Sequence, residues 1–253
     1  MSSLRFLGND TSYLQIPNTD EFDFGTGDFT IEWYQYQTDN NPYPRIFQVG
    51  DYSSEVTIGV SIEGGTFYYW TNGSPNSVTT LDSASYQNTW VHFAICRSSN
   101  VTKVFMNGVQ IGSNLVDTND FNGTSSLVIA NESVYSTQAS FGGYMTYFAW
   151  VKGIAKYTTN FTVSNDYPAL TPNHTLLLSA LAFDGVLGGT VDNQNVGTVN
   201  QVPPGFGVPP LLPSLILRKP MYSDNSLVFY KTASLAAGGI GSVRNASIKS
   251  RRV

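Results

Sequence analysis

WVHFAICRSSNVTKVFMNGVQIG, Trp90–Gly112, is the stretch that decides the fold class. Its first seven residues alternate two side-chain sets, Trp90/His92/Ala94/Cys96 against Val91/Phe93/Ile95, the period of two that a β-strand imposes. Both sets are largely apolar, so the strand is expected to be central and covered on each face; a half-solvated strand would carry charges at alternate positions. VTKVFM then runs to Asn107-Gly108, and VQIG returns. Asn-Gly between apolar runs marks a hairpin, because a type I′ turn needs positive φ at both central residues.

The same grammar extends outward. IEWYQYQ, RIFQVG, VTIGVSI, TFYYWT, SLVIA and MTYFAWV are rich in β-branched and aromatic residues and are separated by turn clusters such as NPYP, EGG, TNGSPN and NDFNGTSS. A dozen or so short strands imply an all-β protein, a two-sheet antiparallel jelly-roll β-sandwich. SLRFLG and SYLQIP at the start and TLLLSA at Thr175–Ala180 are expected to pair with one another, with the segment to Asn200 decorating the domain. No stretch of three helical turns keeps apolar residues at three-and-four spacing.

Charged residues make up 12% of the 253-residue chain, against about a quarter in ordinary soluble domains, so the surface is expected to be neutral and polar. Cys96, the single cysteine, excludes an intrachain disulfide and reads as a small buried hydrophobe. MSSLRFLGND has no apolar core of signal-peptide length, and the longest apolar run, Leu176–Phe183, is too short to cross a bilayer. No membrane partner is expected.

Charge divides the chain. Residues 1–217 hold six Lys/Arg against seventeen Asp/Glu, a net of −11, whereas residues 218–253 hold seven Lys/Arg against Asp224 alone, a net of +6. VPPGFGVPPLLP at Val202–Pro213 carries five prolines between them, which favour extended chain. The expected organisation is a sandwich over 1–201, a Pro-rich linker over 202–217 and an extended basic arm over 218–253.

Four motifs, in order, resemble the laminin-G-like branch of the concanavalin A-like lectin/glucanase superfamily, in the form appended to structural proteins of phages and large DNA viruses: FTIEWY (Phe29–Tyr34), WVHFA (Trp90–Ala94), FMNGVQ (Phe105–Gln110) and FGGYMTYFAWVKGIAKYTTNF (Phe141–Phe161). The end of the chain, GGIGSVRNASIKSRRV, is similar to basic C-termini of some virion proteins. The resemblance implies a lectin-like sandwich and a virion location. It also brings a catalytic alternative, because laminarinase-like members carry E-x-D-x-x-E on one strand. That spacing points two or three carboxylates from one face into a cleft, and no such strand occurs here.

Other chemistry is sparse. Asp20, Glu21 and Asp23 sit at a turn and read as solvated loop charge. His92 falls within a strand and reads as a hydrogen-bonded core or interface histidine, while His174 in TPNHT reads as a loop residue. Neither has a Ser-Asp or metal-ligand partner at a recognisable spacing. Calcium is the one cofactor considered, since sandwiches of this superfamily often hold it at a sheet rim: VDTNDFNG offers Asp117, Asn119 and Asp120 as hard oxygen donors, with an Asx-rich turn as the plainer reading. In TFYYWTNGS the two ring pairs Phe67/Tyr69 and Tyr68/Trp70 must face opposite ways. One pair is therefore expected outside the core, where Tyr68 and Trp70 with Asn72 would suit stacking on a sugar, or packing under a loop or another subunit. The arm, through Arg244, Lys249, Arg251 and Arg252, suits attachment to an acidic protein partner; its few aromatics disfavour nucleic acid.

The function expected from the sequence is thus a non-enzymatic structural protein of a virus particle, capsid- or tail-associated and attached to other virion proteins through its arm. A glycan-binding module for host surfaces is the alternative, and a divergent glycoside hydrolase the third reading.

Overall fold

The computed structural model describes residues 3–16, 23–50, 56–122, 125–132 and 137–164, with the backbone of three short strands at 174–178, 192–194 and 197–199. The linker and the arm lie outside the described residues. In chain order the strands are β1 (Ser3–Leu7), β2 (Tyr13–Ile16), β3 (Phe29–Gln37), β4 (Arg45–Val49), β5 (Ile58–Glu63), β6 (Thr66–Thr71), β7 (Ser74–Thr80), β8 (Val91–Ser98), β9 (Val101–Met106), β10 (Val109–Val116), β11 (Leu127–Ile129), β12 (Gly142–Lys152), β13 (His174–Leu178), β14 (Asp192–Gln194) and β15 (Gly197–Val199). One helical turn, α1 (Ser83–Tyr86), precedes β8, with the Asp82 carboxylate accepting from the Ala84 N–H as its cap.

These strands form two antiparallel sheets. The first runs β10-β9-β8-β3-β12-β1-β15, with β13 also on β12; the second runs β14-β2-β11-β4-β5-β6-β7. β8 is central, as its two apolar faces require. Val91, Phe93 and Ile95 enter the core between the sheets, while Ala94 and Cys96 lie on the outward face beneath later chain. At the β9–β10 turn Asn107 and Gly108 have φ of 50° and 80°, the type I′ geometry expected of this pair.

The inter-sheet core is aromatic: Trp33 stacks near Phe93 and meets Phe47 edge-on, and Phe24 stacks on Phe29 and Trp150. Each such side chain contributes about 1.5–3 kcal/mol on full burial, which is what holds two otherwise separate sheets together.

Two expectations about the ends are corrected. TLLLSA does not pair with the first strands. β1 covers only Gly142–Met145 of the eleven-residue β12, which leaves the ladder groups of Phe148–Val151 for β13. His174 opens β13 opposite Val151 instead of lying in a loop. Nor does the segment before Asn200 merely decorate: β14 adds to β2, and β15 adds to β1.

Candidate functional site

The outward face of the second sheet carries a closed ring of polar contacts around one tryptophan. Register places Arg45, Ser61 and Tyr68 in one row across β4, β5 and β6. Core residues Val60, Ile62, Phe67 and Tyr69 alternate with Ser61, Glu63, Tyr68 and Trp70, so the second group faces out. A bulge in β4 between Arg45 and Phe47 sends both Ile46 and Phe47 into the core and keeps Arg45 outward.

Trp70 reaches back across β5: its indole N–H donates to Ser61 Oγ at 2.8 Å, and the Arg45 guanidinium lies 4.1 Å from its ring centroid. The Ser61 hydroxyl donates to Glu63 Oε1 at 2.7 Å, and Arg45 Nη1 donates to the same oxygen at 3.1 Å. Glu132 stands 3.9 Å from Arg45 Nε. One face of the indole therefore rests on a cation fixed by ion pairs. Trp70 itself is half-buried, and among the described residues no other ring stacks on it. A flat ring held from below by a guanidinium, with hydroxyl and carboxylate groups at its edge, suits a ligand having an apolar face and a hydroxyl rim.

Of the three residues expected at a sugar site, Tyr68 and Trp70 share this face. Asn72 does not: it has φ of 43° at the β6–β7 turn, and its amide donates to Asn119 Oδ1 at 3.0 Å, at the rim of the sandwich. Arg45, Ser61 and Glu63 were not foreseen. They lie in separate segments, and only strand register brings them together.

At that rim the expected calcium donors do not fit a dication. Asp117 is buried; its Oδ2 accepts from the Tyr69 hydroxyl at 2.9 Å and from Thr102 Oγ1 at 2.8 Å, and its Oδ1 accepts from the Asn119 amide at 2.8 Å. Arg97 Nη1 is 3.7 Å from the same carboxylate. The guanidinium of Arg97, wholly buried, also donates to the carbonyls of Gly25, Gly27 and Asn119. A cation already occupies the position where a metal would gain most, and Asp120 is an exposed neighbour. Among the described residues no group of three His, Cys, Asp or Glu side chains is placed to hold a metal ion.

The outward face of the first sheet is covered over β3, β8 and β9 by a strap, residues 153–164, which begins with the GIAKYTTNF part (153–161) of the fourth motif. Thr30 Oγ1 donates to the Ile154 carbonyl and accepts from the Lys156 N–H, Tyr34 OH donates to the Ser164 carbonyl, and the Phe161 N–H donates to the Gly108 carbonyl. Beneath it Glu32 is buried against Lys156 Nζ, the Tyr157 hydroxyl at 2.9 Å and His92 Nε2 at 3.3 Å. Burial alone would raise its carboxyl pKa, but the bond from His92 and the charge of Lys156 outweigh it and hold the group at about 2. These partners make Glu32 a fastening point for the strap, and none is the second carboxylate that glycoside hydrolysis needs. Burial pushes the Cys96 thiol up to about 11, far from a reactive thiolate.

A cleft of about 520 Å³ opens at the opposite end of the sandwich from Asp117, lined by Gln37, Asn40, Ile62, Leu81, Tyr86 and Gln87 among others. Its Gln87 amide donates to Asn40 Oδ1. Asp23 precedes β3 near the rim, whereas Asp20, Glu21, Arg244, Lys249, Arg251 and Arg252 lie outside the described residues.

Two sheets closed on an aromatic core, with one outward face strapped and the other presenting a supported tryptophan, define a lectin-type sandwich. The chain belongs to the Laminin_G_3 family of the concanavalin A-like lectin/glucanases superfamily, whose model matches residues 7–164. No curated protein matches it in sequence. Among solved structures it is similar to a candidate carbohydrate binding protein from Bacteroides ovatus, at 14% identity and a TM-score of 0.57 over 79% of this chain and 60% of that one. It is also similar to a heptameric SAP-like pentraxin from Limulus polyphemus, at 12% identity and a TM-score of 0.53 over 78% of this chain and 93% of that one. At such identities the likeness is one of fold.

Proposed function

We propose that the chain is a non-catalytic carbohydrate-binding module that meets glycans on the outward face of its second sheet, with Trp70 as the stacking surface. One observation carries this reading: Trp70 is held by Arg45, Ser61 and Glu63 in an arrangement that exists before any ligand arrives, which lowers the ordering cost of binding. The shared fold of the candidate carbohydrate binding protein from Bacteroides ovatus supports the class. The test is a glycan array followed by titration of any hit. Trp70→Ala is expected to abolish binding in a protein that circular dichroism shows to be still folded; binding that survives the substitution, or no binding to any glycan, overturns the reading.

The charge division of the sequence favours a second role alongside it. The arm over 218–253, net +6 on a body of net −11 up to residue 217, is proposed to attach the module to an acidic protein surface, in the resemblance's terms that of a virus particle. Deleting 218–253 is expected to leave glycan binding intact and to abolish association with the particle.

A further inference from the structure

We infer that the Trp70 face selects neutral glycans and rejects sulfated or carboxylated ones. The inference rests on the reading of that face as a glycan site and adds the class of glycan to it.

Residues 1–217 contain six cations, namely Arg5, Arg45, Arg97, Lys103, Lys152 and Lys156, and all six are described. Arg5 is on β1, Lys152 ends β12, Lys103 on β9 donates to the Thr158 carbonyl, Lys156 is paired with Glu32 under the strap, and Arg97 on β8 is buried at the rim. All five belong to the first sheet or its strap. Arg45 is left as the sole described cation of the second sheet, and it is 2% exposed. Its charge is met by Glu63 and Glu132, and its flat face is covered by Trp70. Among the described residues nothing there offers an unshared cation to a sulfate or carboxylate.

Among the described residues the formal charges of this cluster sum to the negative side. Arg45, Glu63 and Glu132 sum to −1, and the Glu63 side chain is 21% exposed, so its carboxylate meets an incoming ligand while the guanidinium does not. Sulfate and carboxylate recognition relies on accessible Arg or Lys forks. Hydroxyl groups donate to an exposed carboxylate, which suits Glu63. An anionic sugar stacked on Trp70 would bring its charge within a Debye length of Glu63, about 8 Å in physiological salt. At the effective dielectric of a protein surface that repulsion amounts to about tenfold in affinity.

The experiment titrates the full chain with neutral hexasaccharides of the cello-, chito-, manno- and galacto- series, and with anionic probes: heparin hexasaccharide, sialyllactose and a galacturonate hexamer. Only binding lost on Trp70→Ala is scored, which removes contributions from the basic arm. Neutral probes are expected to show Trp70-dependent binding at least tenfold tighter than any anionic probe. Glu63→Gln, which keeps an acceptor for Ser61 while removing the charge, is expected to raise anionic affinity several-fold relative to the neutral probes, read below the variant's own melting transition. Trp70-dependent binding of an anionic probe as tight as that of the neutral ones overturns the selectivity and leaves the glycan site standing. Absence of Trp70-dependent binding for every probe overturns the site itself.

Discussion

Gly108 shows how a single residue carries two constraints at once. Its φ is 80°, and a Cβ placed there would stand 2.0 Å from the Phe161 carbonyl oxygen, whose own N–H donates to the Gly108 carbonyl. Gly108→Ala therefore strains the turn and pushes off the strap, with an expected loss of about 2–3 kcal/mol measured by urea unfolding. Asp39 shows the opposite case, a residue whose chemistry works against the fold. Its carboxylate is pressed against Gly8 and Gly142, and burial raises its pKa from 3.8 to about 6. An acid raised in the folded state contributes fully below its unfolded pKa and loses that contribution as pH rises through 6. Asp39→Asn is thus expected to stabilise the protein by about 1–2 kcal/mol at pH 8 and to change nothing at pH 4, as paired urea titrations would show. Neither effect is legible in the sequence: Asn107-Gly108 announced its turn, but not the chain lying on it.

Elements were legible where period and turn chemistry agreed and obscure where one residue shifted the period. β8, β9 and the Asn-Gly turn follow directly from Trp90–Gly112. In MTYFAWV strict alternation would group Met145, Tyr147, Ala149 and Val151. A bulge at Tyr147, φ 60°, instead sends Met145, Phe148 and Trp150 inward and Tyr147, Ala149 and Val151 outward. The SPN of the TNGSPN turn cluster proves to open β7, where Pro75 and its polar neighbours suit an edge strand and nothing more central. The strap was seen as a motif, but its anchor was not, since Glu32 pairs with residues 60 and 124 positions away. With the Glu32 carboxyl lowered from 4.5 to about 2, its contribution is present above pH 4.5 and is lost as pH falls through 2. Glu32→Gln is expected to cost about 2–3 kcal/mol at pH 7 and to narrow toward wild type at pH 2.5. Urea unfolding at the two pH values checks both.

Across the whole molecule, the sheets are joined by their apolar core and, at one rim, by a polar clamp. Asp117 accepts from Tyr69 of the second sheet and Thr102 of the first, while Arg97 of the first sheet holds the carbonyls of the loops that lead into β3 and β11. Sequence reading offered the same aspartate to calcium, because Asp-x-Asn-Asp in a loop satisfies either role; what separates them is a buried guanidinium contributed from a distant strand. Removing the carboxylate leaves that guanidinium uncompensated, a change that costs about 3–5 kcal/mol in buried pairs. Asp117→Ala is therefore expected to lower the melting temperature by many degrees. Asp117→Asn, which keeps an acceptor for the Tyr69 and Thr102 hydroxyls, is expected to lose less. Because the clamp already holds its cation, adding calcium or chelating it with EDTA is expected to leave the wild-type melting temperature unchanged in differential scanning calorimetry. A calcium-dependent rise of several degrees that vanishes in Asp117→Asn would show that metal, and not Arg97, closes this end of the sandwich.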